Sequence, residues 1–479
     1  MKSPIKFGTS GWRGIIADTF TYTNVRLATQ GIALYLKADL KRKKSPIFGR
    51  QPVVVMGHDT RFMGRGFCEA AGEVLAAHGL IPVICERDAP TPVISHTIRN
   101  LKAIGGINMT ASHNPARYQG LKFSPYNGAA APPEVTAKIE DNIAKLVAKN
   151  WVFKPGGAKL SFKTIDPRPA YFKQMRKIVD LAAIRKGKLK VAVEFMYGTG
   201  RGYLDALLDE AGAKVTGRFH ETPDPTFEGQ HPEPDAAGMA AVSDFVTAGN
   251  ARIGLGLDCD ADRFGVVDSD GTWITPNQVL ALALYHLKKN RGWKGAVVRT
   301  VPTSHQVDGV AELLGVKLHE TPVGFKYIGA LMESEPIICG GEESGGLSVK
   351  GHVPEKDGIL ACLLMAELVA TEKKSLGAIM KQIEKETGEA FYTERINVAV
   401  EEKSKAALIK RLGKGFDKIG TSKVEQFITT DGWKFVLPQN EWVAFRASGT
   451  EPVFRCYIEA KSEARLKKLR TAAKKLLAV

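Results

Sequence analysis

The sequence is short of cysteine and has no CxxC pair. Six cysteines are scattered over 479 residues, most in apolar company, as Cys339 is in "PIICGG". That pattern excludes a disulfide scaffold or a thiolate zinc site and suits buried thiols in a reducing cytoplasm. A membrane span is lacking too: the longest apolar run, "ILACLLMAELVA", is too short to cross a bilayer and contains Glu367. The opening "MKSPIKFGTSGWRG" has no apolar core of the kind a secretory signal needs. Acidic residues are the minority charge, with 51 Asp and Glu against 67 Lys and Arg and a formal net charge of +16. Such an excess calls for anionic partners. The basic residues are nevertheless spread out, and the densest patches, "KADLKRKK" and "RLKKLRTAAKKLL", read as solvated helix faces. With no nucleic-acid recognition motif beside them, the expected partners are small anions, not a polynucleotide or a membrane.

What remains is the composition of a soluble globular protein, 44% hydrophobic and 25% charged. The length suits three or four domains. Three segments repeat one pattern of apolar strand, loop, helix, glycine and second strand. They begin at "PVVVMGHDTRF", "LKVAVEFMYG" and "GAVVRTVPTS", and their helices are expected to stop at Gly79, Gly212 and Gly315. The last hundred residues break the rhythm with the strand-like pieces "RINVAV", "WKFVLP", "WVAFRAS" and "FRCYIEA", then a closing helix. The chain therefore reads as three similar α/β domains, 1–150, 151–254 and 255–375, followed by an α+β domain, 376–479.

Four stretches carry candidate chemistry. In "IGLGLDCDADRFGVVDSDGT" an apolar strand runs into Asp258, Asp260 and Asp262. Continued extension would aim all three carboxylates at one point, where their mutual repulsion calls for a cation. Hard oxygen ligands suit Mg²⁺. A calcium EF-hand fails, because its sixth and twelfth places hold Arg263 and Ser269. The following "VVDSDGT" resembles the first motif of haloacid-dehalogenase-like phosphatases, with Asp268 as nucleophile and Asp270 as acid. The Asp270-Gly271 pair reads better as a hairpin turn. "GGEESGGLSVKGHVPEKDG" brackets Glu342, Glu343 and Ser344 with glycines, a loop suited to sugar hydroxyls. In "RASGTEPVFRCYIEA", Arg446 and Arg455 flank a Ser448-Gly449-Thr450 turn, an anion nest beside two guanidinium forks. Finally, "GGINMTASHNPARYQGLKF" holds Ser112 without the Gly-x-Ser-x-Gly elbow of a hydrolase. As a phosphoryl carrier that serine needs only a metal ion, positioned cations and an acceptor hydroxyl.

Together, "FGTSGWRG", "TASHNP", "DCDADR", "GEESGG" and "RASGTEP", in that order along the chain, resemble the α-D-phosphohexomutases, the phosphoglucomutase and phosphomannomutase superfamily. The resemblance implies mixed sheets around a central cleft and interconversion of hexose 1- and 6-phosphates through a phosphoserine. It also implies a bound 1,6-bisphosphate that turns end for end, with glucose 1,6-bisphosphate as intermediate and activator. Ser112 would bear the phosphoryl group and, with Asp258, Asp260 and Asp262, complete a Mg²⁺ site. Arg13, His113 and Lys122 match positions that stabilise transferring charge or move a proton, Lys122 being the expected base. Glu342 and Ser344 match sugar-hydroxyl contacts. Arg263, Lys326, Arg446, Ser448, Gly449, Thr450 and Arg455 are the other expected substrate contacts. Some members carry a histidine after the sugar-loop glycine where this chain has Gly346, and His352 is the expected substitute. The Glu-Glu-Ser loop points to glucose phosphates ahead of mannose or glucosamine phosphates. The phosphatase reading, on Asp268, is the alternative from another class.

Overall fold

The computed structural model describes residues 5–8, 11–154, 161–447 and 453–477. Each repeated segment is a parallel strand pair joined by a helix. Val53–His58 and Ile81–Cys85 flank helix Gly64–Ala77. Lys190–Glu194 and Lys214–Phe219 flank helix Leu204–Glu210. Ala296–Thr300 and Leu318–Thr321 flank helix Gln306–Leu313. The glycines expected to end these helices have φ of 70°, 73° and 59° at Gly79, Gly212 and Gly315, a backbone that β-carbons resist.

A third strand then joins the first of each pair in parallel and turns back as an antiparallel hairpin. In the first sheet Gly105–Met109 lies parallel to Val53–His58 and antiparallel to Tyr118–Pro125. In the second, Ile253–Leu257 lies parallel to Lys190–Glu194 and antiparallel to Phe264–Val267. In the third, Ile337–Glu342 lies parallel to Ala296–Thr300 and antiparallel to Gly346–Val349. The sheets are therefore mixed, and each has one loop where parallel pairing gives way to antiparallel. Those loops carry Ser112, the three aspartates and the Glu343-Ser344 pair. A crevice beyond strand C-termini at such a switch is where open α/β sheets bind ligands.

The fourth sheet is wholly antiparallel, in the order Tyr392–Ala399, Val453–Ala460, Trp442–Ala447, Trp433–Val436, Gln426–Ile428, closed by helix Glu463–Leu477. Helix Glu402–Gly413 lies between its first two strands in sequence and was not expected from the residue pattern.

Strand pairing and packing bear on the boundaries expected after residues 150, 254 and 375. Strand Lys163–Ile165 completes the first sheet by pairing with Ile81–Cys85. Residue 254 lies inside Ile253–Leu257, whose sheet runs on to Trp273–Ile274. Helix Leu376–Thr387 buries Leu376, Ile379, Met380 and Ile383 in the core of the preceding domains. We therefore propose divisions near 166, 274 and 388.

The apolar run singled out in the sequence forms helix Gly358–Glu372, buried along nearly its whole length between the second and third domains. Its Glu367 accepts hydrogen bonds from Asp180 N–H (2.9 Å), His286 Nε2 (3.0 Å) and Arg291 (2.5 Å), which meets the requirement that a buried carboxylate be paired. Among the described residues no helix is long and apolar enough to cross a membrane. All six cysteines are buried and free. Asp268, the phosphatase candidate, stands at the start of a β-turn that links Phe264–Val267 to Trp273–Ile274. Its carboxylate accepts from the N–H groups of Leu376 (3.0 Å) and Gly377 (2.7 Å) at the start of helix Leu376–Thr387. It is a helix-terminus ligand in the hairpin the sequence suggested.

Candidate active site

Ser112 sits in the hairpin loop after Gly105–Met109 with φ of 52°, a left-handed backbone that costs a residue with a β-carbon and concentrates at functional sites. Two groups hold it there. Its N–H donates to Thr110 Oγ1 at 2.9 Å. The buried Arg61 guanidinium donates to the carbonyls of Ser112 (2.5 Å), Pro115 (2.9 Å), Tyr118 (3.1 Å) and Asn114. Arg61 is itself paired with the equally buried Asp59 at 3.2 Å.

The Ser112 hydroxyl donates to Asp258 Oδ2 at 2.8 Å across 146 residues of chain. Asp258, Asp260 and Asp262 are buried, with carboxylate oxygens within 4.8 Å of one another. The expected convergence is met, but by a different geometry. The strand ends at Leu257, and the chain turns through Ala261 at φ 54°, with Ala261 N–H on Asp258 O (3.0 Å) and Arg263 N–H on Asp258 Oδ1 (3.0 Å). From the first domain, Thr91 donates to Asp260 through both its N–H (2.9 Å, to the carbonyl) and its hydroxyl (2.6 Å). From the third, Gly358 N–H reaches Ala261 O at 3.1 Å. A β-carbon on Gly358 would lie 2.3 Å from Arg263 O, so only glycine lets the helix begin this close to the aspartates.

Cations complete the cluster. Arg13 and Lys122 lie on adjacent antiparallel strands, Arg13 opposite Gly120, so both project from one sheet face. Lys122 Nζ donates to Asp260 Oδ2 (2.6 Å) and Asp262 Oδ2 (2.8 Å). Lys356, which sequence reasoning passed over although it lies in the quoted sugar-loop segment, stands 3.3 Å from Asp262 Oδ2. Burial, then Asp260 and Asp262, push the Asp258 carboxyl well above its ordinary range. Burial acts the same way on Asp260 and Asp262, and Asp262 adds to it at Asp260, but Lys122, together with the Thr91 hydroxyl at Asp260 and with Lys356 and Arg263 at Asp262, holds both below theirs. In return, burial lowers Lys122 less than the two aspartates raise it. In this geometry Lys122 is a cation, and as a base it would first have to leave both carboxylates.

Burial, followed by the charges of Arg263 and Arg13, drives the His113 imidazole well below its usual pKa, so a neutral ring stands 3.4 Å from Ser112 Oγ. Arg13 donates to Asn114 Oδ1. Arg117, also near Ser112 in sequence, is exposed and lies over the Tyr118 ring.

The donor set fits a hard divalent cation. All the ligating atoms are oxygens, and Asp260 Oδ1 and Asp262 Oδ1 are buried without a hydrogen-bond partner, an arrangement that a metal ion relieves.

The remaining described residues of the expected set come from the second, third and fourth domains. Arg263 pairs with Glu233 at 2.5 Å. Glu342 is buried and accepts from Gly324 N–H at 2.9 Å. Burial and the neighbouring Glu343 raise it to about 7, against the pull of Lys356. Lys326, on the first turn of helix Phe325–Ser334, packs its ammonium over Tyr327. A cavity of about 240 Å³ opens beside Ser344, lined also by Arg263, Glu233, Glu343, Arg395 and Tyr457. Arg446 and Arg455 are directly opposite one another in the fourth sheet and so share a face. Ser448, Gly449 and Thr450 lie outside the described residues. His352 does not reach the sugar loop: its Nε2 bonds Asp357 Oδ2 at 2.8 Å, beside Tyr171, whose hydroxyl shares that oxygen at 2.7 Å. Arg61, Lys356 and Thr91 gave no sequence signal of their own, since each acts through long-range contacts.

Known proteins match along the whole chain. The four phosphoglucomutase/phosphomannomutase family models match in order: alpha/beta/alpha domain I at residues 4–149, domain II at 169–271, domain III at 275–386 and the C-terminal domain at 396–476. A phosphoglucomutase/phosphomannomutase of Thermococcus kodakarensis is 31% identical over 98% of both chains. A phosphoglucomutase of Komagataeibacter xylinus is 31% identical over 98% of this chain and 90% of its own. The crystal structure of a Thermus thermophilus protein assigned as a phosphomannomutase superposes with a TM-score of 0.86 at 32% identity, over 99% of each chain. All four domain matches in order, with relatives 31% identical over 98% of the chain, show that it belongs to the phosphoglucomutase/phosphomannomutase family and is a phosphohexomutase.

Proposed function

We propose that this phosphohexomutase interconverts glucose 1-phosphate and glucose 6-phosphate through a phosphoryl group carried on Ser112. The observation behind this reading is the 2.8 Å contact of Ser112 Oγ with the aspartate triad. Ser112, through the phosphoryl group it carries, would hold Mg²⁺ together with Asp258, Asp260 and Asp262. When bound, the ion neutralises negative charge as the phosphoryl group moves.

The chain's own residues do the rest. Arg61 fixes the serine loop by its carbonyls, so Oγ keeps its direction towards the cleft. Lys122 and Arg13 supply positive charge from one sheet face. His113 stays neutral and adds no charge beside Oγ. The sugar hydroxyl attacks phosphorus, the bond to Ser112 Oγ breaks, the hydroxyl's proton passes to the departing Oγ, and glucose 1,6-bisphosphate forms. Arg446 and Arg455, with the Ser448 to Thr450 loop, grip the phosphate that is not reacting, while Glu342 and Ser344 hold ring hydroxyls and Arg263 and Lys326 complete the walls. After the bisphosphate turns, its other phosphate returns to Ser112. Mannose phosphates are the second reading, favoured by the name of the Thermus relative.

Phosphorus NMR of glucose 1-phosphate with the protein, Mg²⁺ and trace glucose 1,6-bisphosphate tests this. Glucose 6-phosphate should appear, the Ser112→Ala protein should form none, and chelation of the ion should stop turnover reversibly. Faster turnover of mannose 1-phosphate would reverse the sugar preference. Full activity in Ser112→Ala would overturn the carrier.

A further inference from the structure

Asp431 lies in the turn between strands Gln426–Ile428 and Trp433–Val436 of the fourth sheet, outside every motif singled out above. Its two oxygens face different domains. Oδ1 accepts from Arg446 Nε at 3.1 Å within its own sheet. Oδ2 accepts from the backbone N–H of Val323 at 2.8 Å, 108 residues away in the third domain. The next amide along, Gly324 N–H, is held by Glu342 Oε1. Consecutive amides at the start of helix Phe325–Ser334 are thus gripped by two carboxylates, one from the sugar loop and one from the fourth sheet.

The turn is shaped for this. Gly432 has φ of 93°, and a β-carbon there would stand 2.3 Å from Phe445 O. Only glycine allows the hairpin to lie this close to strand Trp442–Ala447, and that approach sets Asp431 against Arg446. A partly exposed Asp–Arg pair contributes little stability on its own, so stability is a poor explanation of the arrangement. What the second bond adds is a tie between walls of the cleft that belong to different domains.

We propose that Asp431 is a positioning residue for the mutase reaction, its carboxylate joining the Arg446 guanidinium to the Val323 amide so that the phosphate grip of the fourth domain and the substrate loop of the third close as one body. The inference rests on the reading of Arg446 as a phosphate contact. Because Nε meets Asp431, the terminal nitrogens are the ones presented to phosphate, the bidentate geometry in which guanidinium binds it best. The same tie carries through Val323 and Gly324 to Glu342 and to Lys326 on the first turn of the helix.

Steady-state kinetics with a hexose 1-phosphate test this on Asp431→Asn, Asp431→Glu, Arg446→Lys and the double variant Asp431→Asn/Arg446→Lys. A grip equally strong in ground and transition states acts on KM. Asp431→Asn should raise KM about ten-fold with kcat lowered less than about three-fold, and Asp431→Glu should recover part of the loss. In the Arg446→Lys background the Asn substitution should add less than about two-fold, because residues acting through one another are not additive. An unchanged KM would make Asp431 an ordinary surface pair, a lowered KM would make it a rival of phosphate for Arg446, and full additivity would uncouple the two; each overturns the proposal. Should the variants fail to fold, amide exchange of the unaltered chain decides: hexose phosphate should slow exchange at Val323 and Gly324, and no change overturns the tie. Absence of turnover in the unaltered chain would instead refute the mutase site, and an unchanged KM in Arg446→Lys would refute its phosphate contact.

Discussion

Arg61 shows what the sequence withholds at the scale of a residue. The reading from motifs found Ser112, the aspartates and Glu342 because each sits in a short run of unusual composition. Arg61 lies in an ordinary "HDTRF" and acts on carbonyls more than fifty residues away. Replacing it with alanine would leave those carbonyls and the buried Asp59 charge unmatched. Loss of one partner of a buried pair costs about 3–5 kcal/mol, which urea unfolding of Arg61→Ala should register, together with poor phosphorylation of Ser112. Glu342 carries a prediction in pH. Burial and Glu343 raise it from 4.5 to about 7 in the folded chain, so between those values the folded state holds a proton that the unfolded state has released. Stability should therefore fall as pH rises from about 4.5 to 7 and then level. Glu342→Gln, which cannot ionise, should lack that component when melting temperatures are compared across the range.

At the scale of elements, glycine-stopped helices and apolar strands made the three repeats legible. The shared position of their chemistry was not. That the serine, aspartate and sugar loops are equivalent hairpins depends on which strand turns antiparallel, a matter of long-range pairing that residue spacing does not encode. The expected alternation of Asp258, Asp260 and Asp262 along an extended strand gave the right cluster for the wrong reason, since Ala261 turns the chain. Helix Glu402–Gly413 and strand Gln426–Ile428, which precedes the turn of Asp431, went unread because their apolar stripes are short. The contact of helix Gly358–Glu372 with the aspartate loop is the most exacting at this scale. Gly358→Ala forces the helix start away from Arg263 O; such overpacking costs about 1–3 kcal/mol. Calorimetry should show that loss, and Mg²⁺ titration should show weaker binding than in the unaltered chain.

Across the whole molecule, the third and fourth domains meet through buried polar side chains as well as through Asp431. Lys434 Nζ, on the fourth sheet, donates to Val301 O (2.9 Å) and contacts His305 Nε2 (2.9 Å), with its ammonium 4.4 Å from the Trp442 ring centre. Glu459 accepts from His305 N–H (3.0 Å) and Trp442 Nε1 (2.7 Å). Burial, then Arg299, lowers Lys434 to about 8, so the charge is held at a cost that its partners offset. Lys434→Met keeps the stem over Trp442 while removing the donor. Removing one partner leaves Val301 O and the facing Glu320 and Glu459 carboxylates without it, a loss that costs about 3–5 kcal/mol for a buried pair, so the melting temperature should fall. Amide exchange at His305, and in the strands facing it, should quicken as the fourth domain loosens. None of this was legible in the sequence, where Lys434 sits unremarkably in "WKFVLP".

The burial of every cysteine has a practical side. Cys68 and Cys85 lie in the first sheet and its helix, Cys259 among the aspartates, Cys339 and Cys362 in the third domain's sheet and the long buried helix, and Cys456 in the fourth sheet. Burial also raises their thiol pKa values, so the native fold shields them from alkylating reagents both sterically and chemically. The molecule thus carries a clock in each of its four parts: the order in which the thiols become labelled at rising temperature, read by peptide mass, reports which part opens first.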